Sequence, residues 1–503
     1  MTPSSLPSLR ATWAPLDFGL YAFLAINPLA LGLWIFSLAP LVGGNILIAV
    51  VLTCPVVVLG AVVYGSLAGR WPWTGGDYAW QTRLLDRKVG AVLALTSWWI
   101  VVATLAPVYG NVILVQVADP LLVETGWDGV ASWFHGRDGV FAASLIAITV
   151  ATAFVGLGMR RAAIVQRAVV VVGGISLVAI LGLLLTHSPQ EFSNAFDEAS
   201  DELYGVGGTA SSQIRGLGNL DARVTDVDPV NTLTLVPLVL LFALWIGWAG
   251  PLAGEIRTAK PRSVRPVLIR AAVASTVTSL MLFVALGRGA NWDLWNEANN
   301  LYWGTIYGTT AATPLPTWPN PVVFATWLTE STLVRILLVA GMAAWVVGWT
   351  MTLFLGATRV LLAAAHDHLL PAAVARTTGD TVPIVALALL VVPACGLAAL
   401  DAYWDTFGLW TSSAVLALAL TTVGSSVTAL LAFRREHRSV ALAAALFAVI
   451  VALVIGVWIA DPVFGIRTVG SLAFITALYV IAVGYAWARQ RHVRAATLGA
   501  GDA

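Results

Sequence analysis

The sequence predicts an all-α integral membrane protein with about twelve transmembrane helices, on three observations. Of its 503 residues 59% are hydrophobic and only 11% charged, with a mean hydropathy of +0.85, too few charges to cover a water-soluble globule. Apolar runs of roughly 20 residues, the length of a spanning helix, recur along the whole chain in place of the short alternating segments of a barrel. Basic residues and acidic residues alternate between successive connections, as the positive-inside rule requires of a multi-pass protein.

Taken in order, the apolar runs predict helices near 16–38, 44–66, 89–117, 139–158, 163–185, 232–253, 267–286, 331–356, 383–400, 407–431, 440–460 and 469–488. An even number places both termini on one side. With that side cytoplasmic, the inner connections hold Arg70, Arg83, Arg87 and Lys88, then Arg160 and Arg161, the cluster from Arg257 to Arg270, then Arg434, Arg435 and Arg438, and finally Arg489 to Arg494. The outer side receives Glu191, Asp197, Glu198, Asp201, Glu202 and Asp228. The expected location is therefore the cell membrane with short cytoplasmic tails at 1–15 and 489–503.

Two outer segments are long. The acidic stretch 186–231 reads as a plain surface loop, while 288–330 carries Trp292, Trp295, Tyr302, Trp303 and Tyr307 and reads as a lid. Most of the 22 tryptophans, among them Trp71, Trp73, Trp292, Trp295, Trp303 and Trp404, flank apolar runs and read as headgroup anchors. Cys54 and Cys395 lie in apolar runs without metal or redox spacing, and read as packing residues.

The sixth apolar run contains Gly247, Gly250 and Pro251 inside Trp-Ile-Gly-Trp-Ala-Gly-Pro. A helix loosened at membrane depth is tolerable only where its freed backbone groups face protein, water or a ligand. One such defect alone reads as a packing kink sooner than as a cavity, since Pro and Gly are commoner in membrane helices than in soluble ones. The first run, however, carries a second defect at Asn27-Pro28-Leu29-Ala30-Leu31-Gly32. These two interrupted helices begin two halves of five spans each, at 16–185 and 232–431, and 432–488 adds two further helices. A pair of broken segments at corresponding places in inverted halves points to a transporter's substrate site, since half-helix ends offer free amides to anions and free carbonyls to cations. No phosphate loop, nucleotide fingerprint or catalytic triad is present, so nothing suggests an enzyme, a cofactor or a nucleic-acid partner.

Several motifs resemble those of the amino acid–polyamine–organocation permeases. Arg70-Trp-Pro-Trp-Thr-Gly-Gly-Asp-Tyr-Ala-Trp-Gln-Thr-Arg83 is similar to that family's P-x-x-G-G-x-Y loop, and Gly254-Glu255 to the G-E that closes its sixth helix. Thr358-Arg-Val-Leu-Leu-Ala-Ala-Ala-His-Asp-His-Leu-Leu-Pro371, followed by Thr381-Val-Pro383, resembles the S-R-x-x-x-A-x-A-R-D-G-x-x-P signature. Phe407 to Ser413 resembles the tenth-helix segment facing the site. The chain departs from the family at Ala30-Leu31-Gly32, where many members have G-S-G, and at Ala365-His366-Asp367-His368, where they have A-R-D-G. His366 and His368 point to different helix faces and do not form a metal pair.

The resemblance implies a five-plus-five inverted-repeat, LeuT-like fold with discontinuous helices one and six, and an α-amino acid substrate moved by alternating access. Its carboxylate would lie near Asn27 on the amides of Leu31, Gly32 and Leu33, and its ammonium on carbonyls of Phe242, Trp245 and Ile246, beside Gly247. Selectivity would come from Ile100, Val101, Thr104 and Leu105, from Trp245 and Trp248, and from Trp349, Thr411 and Ser412. This lining is apolar and aromatic, and no Asp, Glu, Lys or Arg occupies the central parts of helices one, three, six, eight or ten. A neutral, hydrophobic or aromatic amino acid is the expected cargo. A cationic amino acid or polyamine, exchanged or carried inward, and a sensor that binds without transport are the alternatives. The coupling ion is sodium, for which Thr350 and Thr352 are the candidate ligands, or a proton, or is replaced by exchange. A lysine in helix five, used by some members, is absent: the chain's lysines are Lys88 and Lys260.

Overall fold

The computed structural model describes residues 11–217, 225, 228–257, 263–306, 313–315, 317–379, 382–404, 407, 410, 413–464 and 466–499. Among them it contains twelve helices long and apolar enough to cross a membrane. They are Pro15–Leu41, Ile46–Arg70, Arg87–Glu124, Arg137–Gly156, Gly158–Thr186, Pro229–Glu255, Val264–Gly289, Thr332–His366, Ile384–Tyr403, Ala414–Phe433, Arg438–Ala460 and Val469–Arg489. The expected twelve spans are thus present. Ala357 to His366, rich in Ala and Leu, continues the eighth span well past the expected end at 356. Among the described residues the tenth span runs as Ala414–Phe433, and Phe407 and Trp410 before it are also helical.

Polar side chains start these helices where the sequence supplies them. Asn45 accepts from the Ile48 amide at 3.0 Å, Asp86 from Lys88 and Val89 at 2.8 and 2.9 Å, and Asp228 from Val230 and Asn231 at 2.7 and 2.9 Å. Each satisfies amides that a helix's first turn leaves free.

The two interrupted spans are central. In the most apolar windows of the first and sixth spans, 83% and 78% of residues are buried, against 17% for the twelfth. The fifth span instead turns Ile164, Val171, Ile175 and Val178 outward, an apolar face suited to lipid. Spans close up where small residues allow it. A Cβ on Gly110 would sit 2.6 Å from the Ser144 backbone, so the third and fourth spans touch there through backbone.

The long connections differ from expectation. Segment 186–231 contains two amphipathic helices, Pro189–Tyr204 and Ala210–Leu217. Phe192 and Phe196 of the first are buried against Phe324 and Trp327, so this acidic stretch is a packed layer rather than a plain surface loop. In segment 288–330, Trp303 packs at a tilt against Trp34 and donates its indole N–H to Ser37 Oγ at 2.9 Å, and Trp318 also packs on Trp34. Trp295 and Trp303 are buried and Trp404 is exposed. The first two are core residues of segment 288–330 instead of headgroup anchors, because packing against neighbouring side chains takes them out of solvent.

Candidate functional site

The first span stops at Ile26, changes direction through Asn27 to Ala30, and resumes as Leu31–Ser37. Asn27 makes this possible. It adopts the left-handed conformation, with φ 35°, that Asn tolerates better than most residues. Its side-chain oxygen accepts from the Leu29 and Ala30 amides at 3.1 and 3.0 Å, and its amide donates to the Trp345 carbonyl of the eighth span at 2.7 Å. Asn27 is therefore a structural pin whose side chain is already engaged within the protein.

Beyond it, the Gly32 amide donates to the Asn27 carbonyl at 3.2 Å, whereas the amides of Leu31 and Leu33 donate to no carbonyl among the described residues. Two of the three amides expected to form an anion nest thus remain open. Phe242 of the sixth span lies directly over the nest. A Cβ on Gly32 would lie 3.3 Å from both the Asn27 carbonyl oxygen and the Phe242 ring.

The sixth span is a regular helix from Pro229 to Ala243 and then a loosened 3₁₀ stretch from Leu244 to Glu255, with Trp245 out of helical geometry. Leu244, Trp245, Gly247 and Trp248 line a narrow cavity. It is closed by Tyr64 of the second span, Trp98 of the third, Leu418, Thr421 and Thr422 of the tenth, and Asp77 of the connecting segment. Trp245 and Trp248 meet edge to face with centroids 6.1 Å apart, and Trp248 donates to the Thr352 carbonyl at 2.9 Å. Ile246 faces away, buried beside Gly60 of the second span. A second cavity joins Ile26 and Phe242 from the two breaks to the second and seventh spans.

The third span presents a face other than the expected one. Val101 and Thr104 are buried, Ile100 and Leu105 half-buried, and none of the four lines either cavity. The reason is local. Thr96–Val101 is a π-helical turn, whose extra residue shifts the side chains from there on relative to a regular helix. Trp98 reaches the cavity, and Tyr109 stacks flat on Trp349 with centroids 3.6 Å apart. Thr350 and Thr352 donate their hydroxyls to their own helix, at Val346 and Trp349, and the Thr352 carbonyl accepts from Tyr21 and Trp248. Thr411, Ser412, Lys260 and Thr381 lie outside the described residues.

Asp77 is the residue that reading the sequence by spans passes over. It belongs to the short helix Gly76–Trp80 in the Gly-Gly-Asp-Tyr motif, yet it is 1% exposed. Its oxygens accept from Trp98 Nε1 at 3.1 Å and from the Ser425 hydroxyl, and the Tyr64 hydroxyl faces it as well. Burial pushes its carboxyl up to about 6, opposed by the bonds from Ser425, Tyr64 and Trp98. An Asp beside Gly-Gly gave the only available signal, and a loop position argued for solvent.

At the end of the loosened stretch, Glu255 is gripped by Arg359 of the eighth span. Its carbonyl accepts from the Thr12 and Trp13 amides at 2.9 and 3.1 Å, and Trp13 donates its indole N–H to Met159 of the fifth span. Two motif residues thus close one end of the site with the start of the chain. No curated protein matches the chain. The family model described as Amino acid permease matches residues 18–493, nearly the whole length, so this protein belongs to an amino acid permease family of the amino acid–polyamine–organocation superfamily.

Proposed function

We propose that the protein is a secondary active transporter that carries neutral, hydrophobic or aromatic amino acids across the cell membrane by alternating access. One observation carries this reading: the two broken spans meet, with the open amides of Leu31 and Leu33 beside Phe242 and next to an indole-lined cavity. Free amides suit a carboxylate, loosened carbonyls of the sixth span suit an ammonium, and indoles suit an apolar side chain. The cavity has room for about one water molecule, so the surrounding elements must separate to admit an amino acid.

Further support for two inverted five-span repeats comes from the third and eighth spans. They are the two longest, at 38 and 35 residues, and each is interrupted midway, at Leu105 and at Met351. They hold corresponding places in the two halves, as the first and sixth do. Both termini and the arginine-rich connections are cytoplasmic in this reading, and the lid of residues 288–330 covers the outer mouth.

Thr350 and Thr352 donate their hydroxyl hydrogens into their own helix, which leaves their oxygen lone pairs available to a cation, so sodium, a proton and exchange are the candidate sources of coupling. Asp77 is the observation that favours a second reading, a cationic cargo. Its oxygens already accept from Trp98 and Ser425, however, which favours the neutral one. Reconstitution in proteoliposomes with labelled leucine, phenylalanine, glutamate and lysine, with and without sodium, tests the reading. Uptake of leucine or phenylalanine is expected; uptake of none of the four would overturn it.

A further inference from the structure

We propose that Asp77 is the proton-binding group of this protein, and that its protonation couples amino acid movement to a proton gradient by acting on the broken sixth span through Gly75 and Gly76. The inference rests on the transporter reading above.

Three elements converge on the Asp77 carboxylate: Trp98 from the third span, Ser425 from the tenth and Tyr64 from the second. Ser425 is itself held, accepting from Gln81 Nε2 at 2.9 Å. The link to the sixth span is equally direct. The Gly75 amide donates to the Pro251 carbonyl at 2.9 Å, and Gly76 packs so tightly that a Cβ there would lie 2.3 Å from the Gly250 carbonyl carbon. A change at residue 77 is therefore one residue away from the backbone of the loosened stretch.

The other charged and titratable groups on the elements packed around it are few. The second span contributes Tyr64 and Arg70, the sixth Glu255, and the eighth Arg359 and His366. Arg83 follows on the next turn, and Arg87 and Lys88 begin the third span. Tyr78 and Asp367 lie beyond it, facing each other. The tenth span offers only hydroxyls. Glu255 and Arg359 are joined to each other, and Arg83 to Asp367. None of these forms an ion pair with Asp77 among the described contacts, and burial holds its carboxyl near 6, where modest acidification protonates it.

The step itself is a simple protonation. Water on the acidic side gives up one proton to a carboxylate oxygen, leaving a neutral carboxylic acid, and the same proton leaves to water on the other side. Carboxylate accepts only, whereas carboxylic acid also donates. The new O–H needs an acceptor, and Thr421 and Thr422 of the tenth span and Leu244, Trp245 and Gly247 of the loosened stretch border the same cavity. Protonation thus weakens a three-way clamp and adds a donor in the cavity that the sixth-span break lines.

The full-length protein in proteoliposomes, with the potential clamped and a pH dye inside, tests this with labelled leucine, phenylalanine and lysine. An inward gradient of one pH unit is expected to drive up to about tenfold accumulation of leucine or phenylalanine, with proton entry in step. Asp77→Asn should lose both gradient-driven accumulation and proton entry, and Asp77→Glu should restore them. Ser425→Ala removes a donor that favours the anion and should move the midpoint of the pH response upward, which a purely structural role would not do. Should Asp77→Asn fail to fold, an unmoved midpoint in Ser425→Ala overturns the proposal alone. Leucine exchange in the wild type without proton entry also overturns it while leaving the transporter reading intact. Uptake of lysine alone, without proton flux, would make Asp77 a receptor for the cargo's cation instead. Absence of all uptake would reject the transporter reading itself.

Discussion

Arg359 holds Glu255 through two bonds, Nε to Oε1 at 2.7 Å and Nη2 to Oε2 at 3.0 Å, with both side chains buried. The pair ties the end of the sixth span to the eighth, and the Glu255 carbonyl ties both to Trp13. Removing one member leaves a buried charge without its partner, so Arg359→Met or Glu255→Gln should each cost about 3–5 kcal/mol. The double variant Glu255→Gln/Arg359→Met should cost clearly less than the two singles combined. Thermal unfolding in detergent checks this, and additive losses would mean that the pair is not the source of the cost.

Gly32 is predicted to tolerate no branched side chain. Its Cβ position already touches the Asn27 carbonyl oxygen and the Phe242 ring at 3.3 Å. Gly32→Val should abolish uptake while leaving folded protein, with Gly32→Ala intermediate. Uptake at the wild-type level by Gly32→Val, at equal expression, would place the anion nest elsewhere.

Trp245 and Trp248 should separate under truncation. Trp248 is anchored by its bond to Thr352 and packs on Trp98 at 4.7 Å, so Trp248→Ala should cost roughly 3–5 kcal/mol of stability. Trp245 borders the cavity and lies at the irregular turn. Trp245→Ala should lose less stability and shift competition toward bulkier side chains. A destabilised Trp245→Ala protein with an unaltered competition profile rejects it as a selectivity residue.

Stability should also carry the signature of Asp77. Its carboxyl is raised from 3.8 to about 6, so the folded protein binds this proton more tightly than the unfolded chain does. That contribution is complete below about pH 4 and disappears as pH rises through about 6. Asp77→Asn cannot titrate. The thermal midpoint of the wild type, relative to the variant, should therefore fall between about pH 4 and about pH 6 and level off above that, and a constant difference would show that residue 77 does not titrate there.

Asn27, Pro28, Gly247 and Pro251 determined by themselves that two helices would break, because a missing N–H, a fixed φ and tolerance of the left-handed region are properties of single residues. The twelve spans and the closing motif residues Glu255 and Arg359 were legible for the same reason, since hydropathy and motif spacing are local. Only the tertiary structure decided which side chains meet. Glu255 and Arg359 are 104 positions apart, and no local pattern pairs them. Trp98 reaches the cavity where Ile100 and Leu105 do not, because the π-helical turn Thr96–Val101 shifts the third span's register, and a 3.6-residue period cannot register that shift. Asp77 sits in a connecting segment, and its burial is created by the second, third and tenth spans closing around a Gly-Gly turn that has room for nothing larger. Local chemistry sets where the backbone gives way, and long-range packing sets what the opening contains.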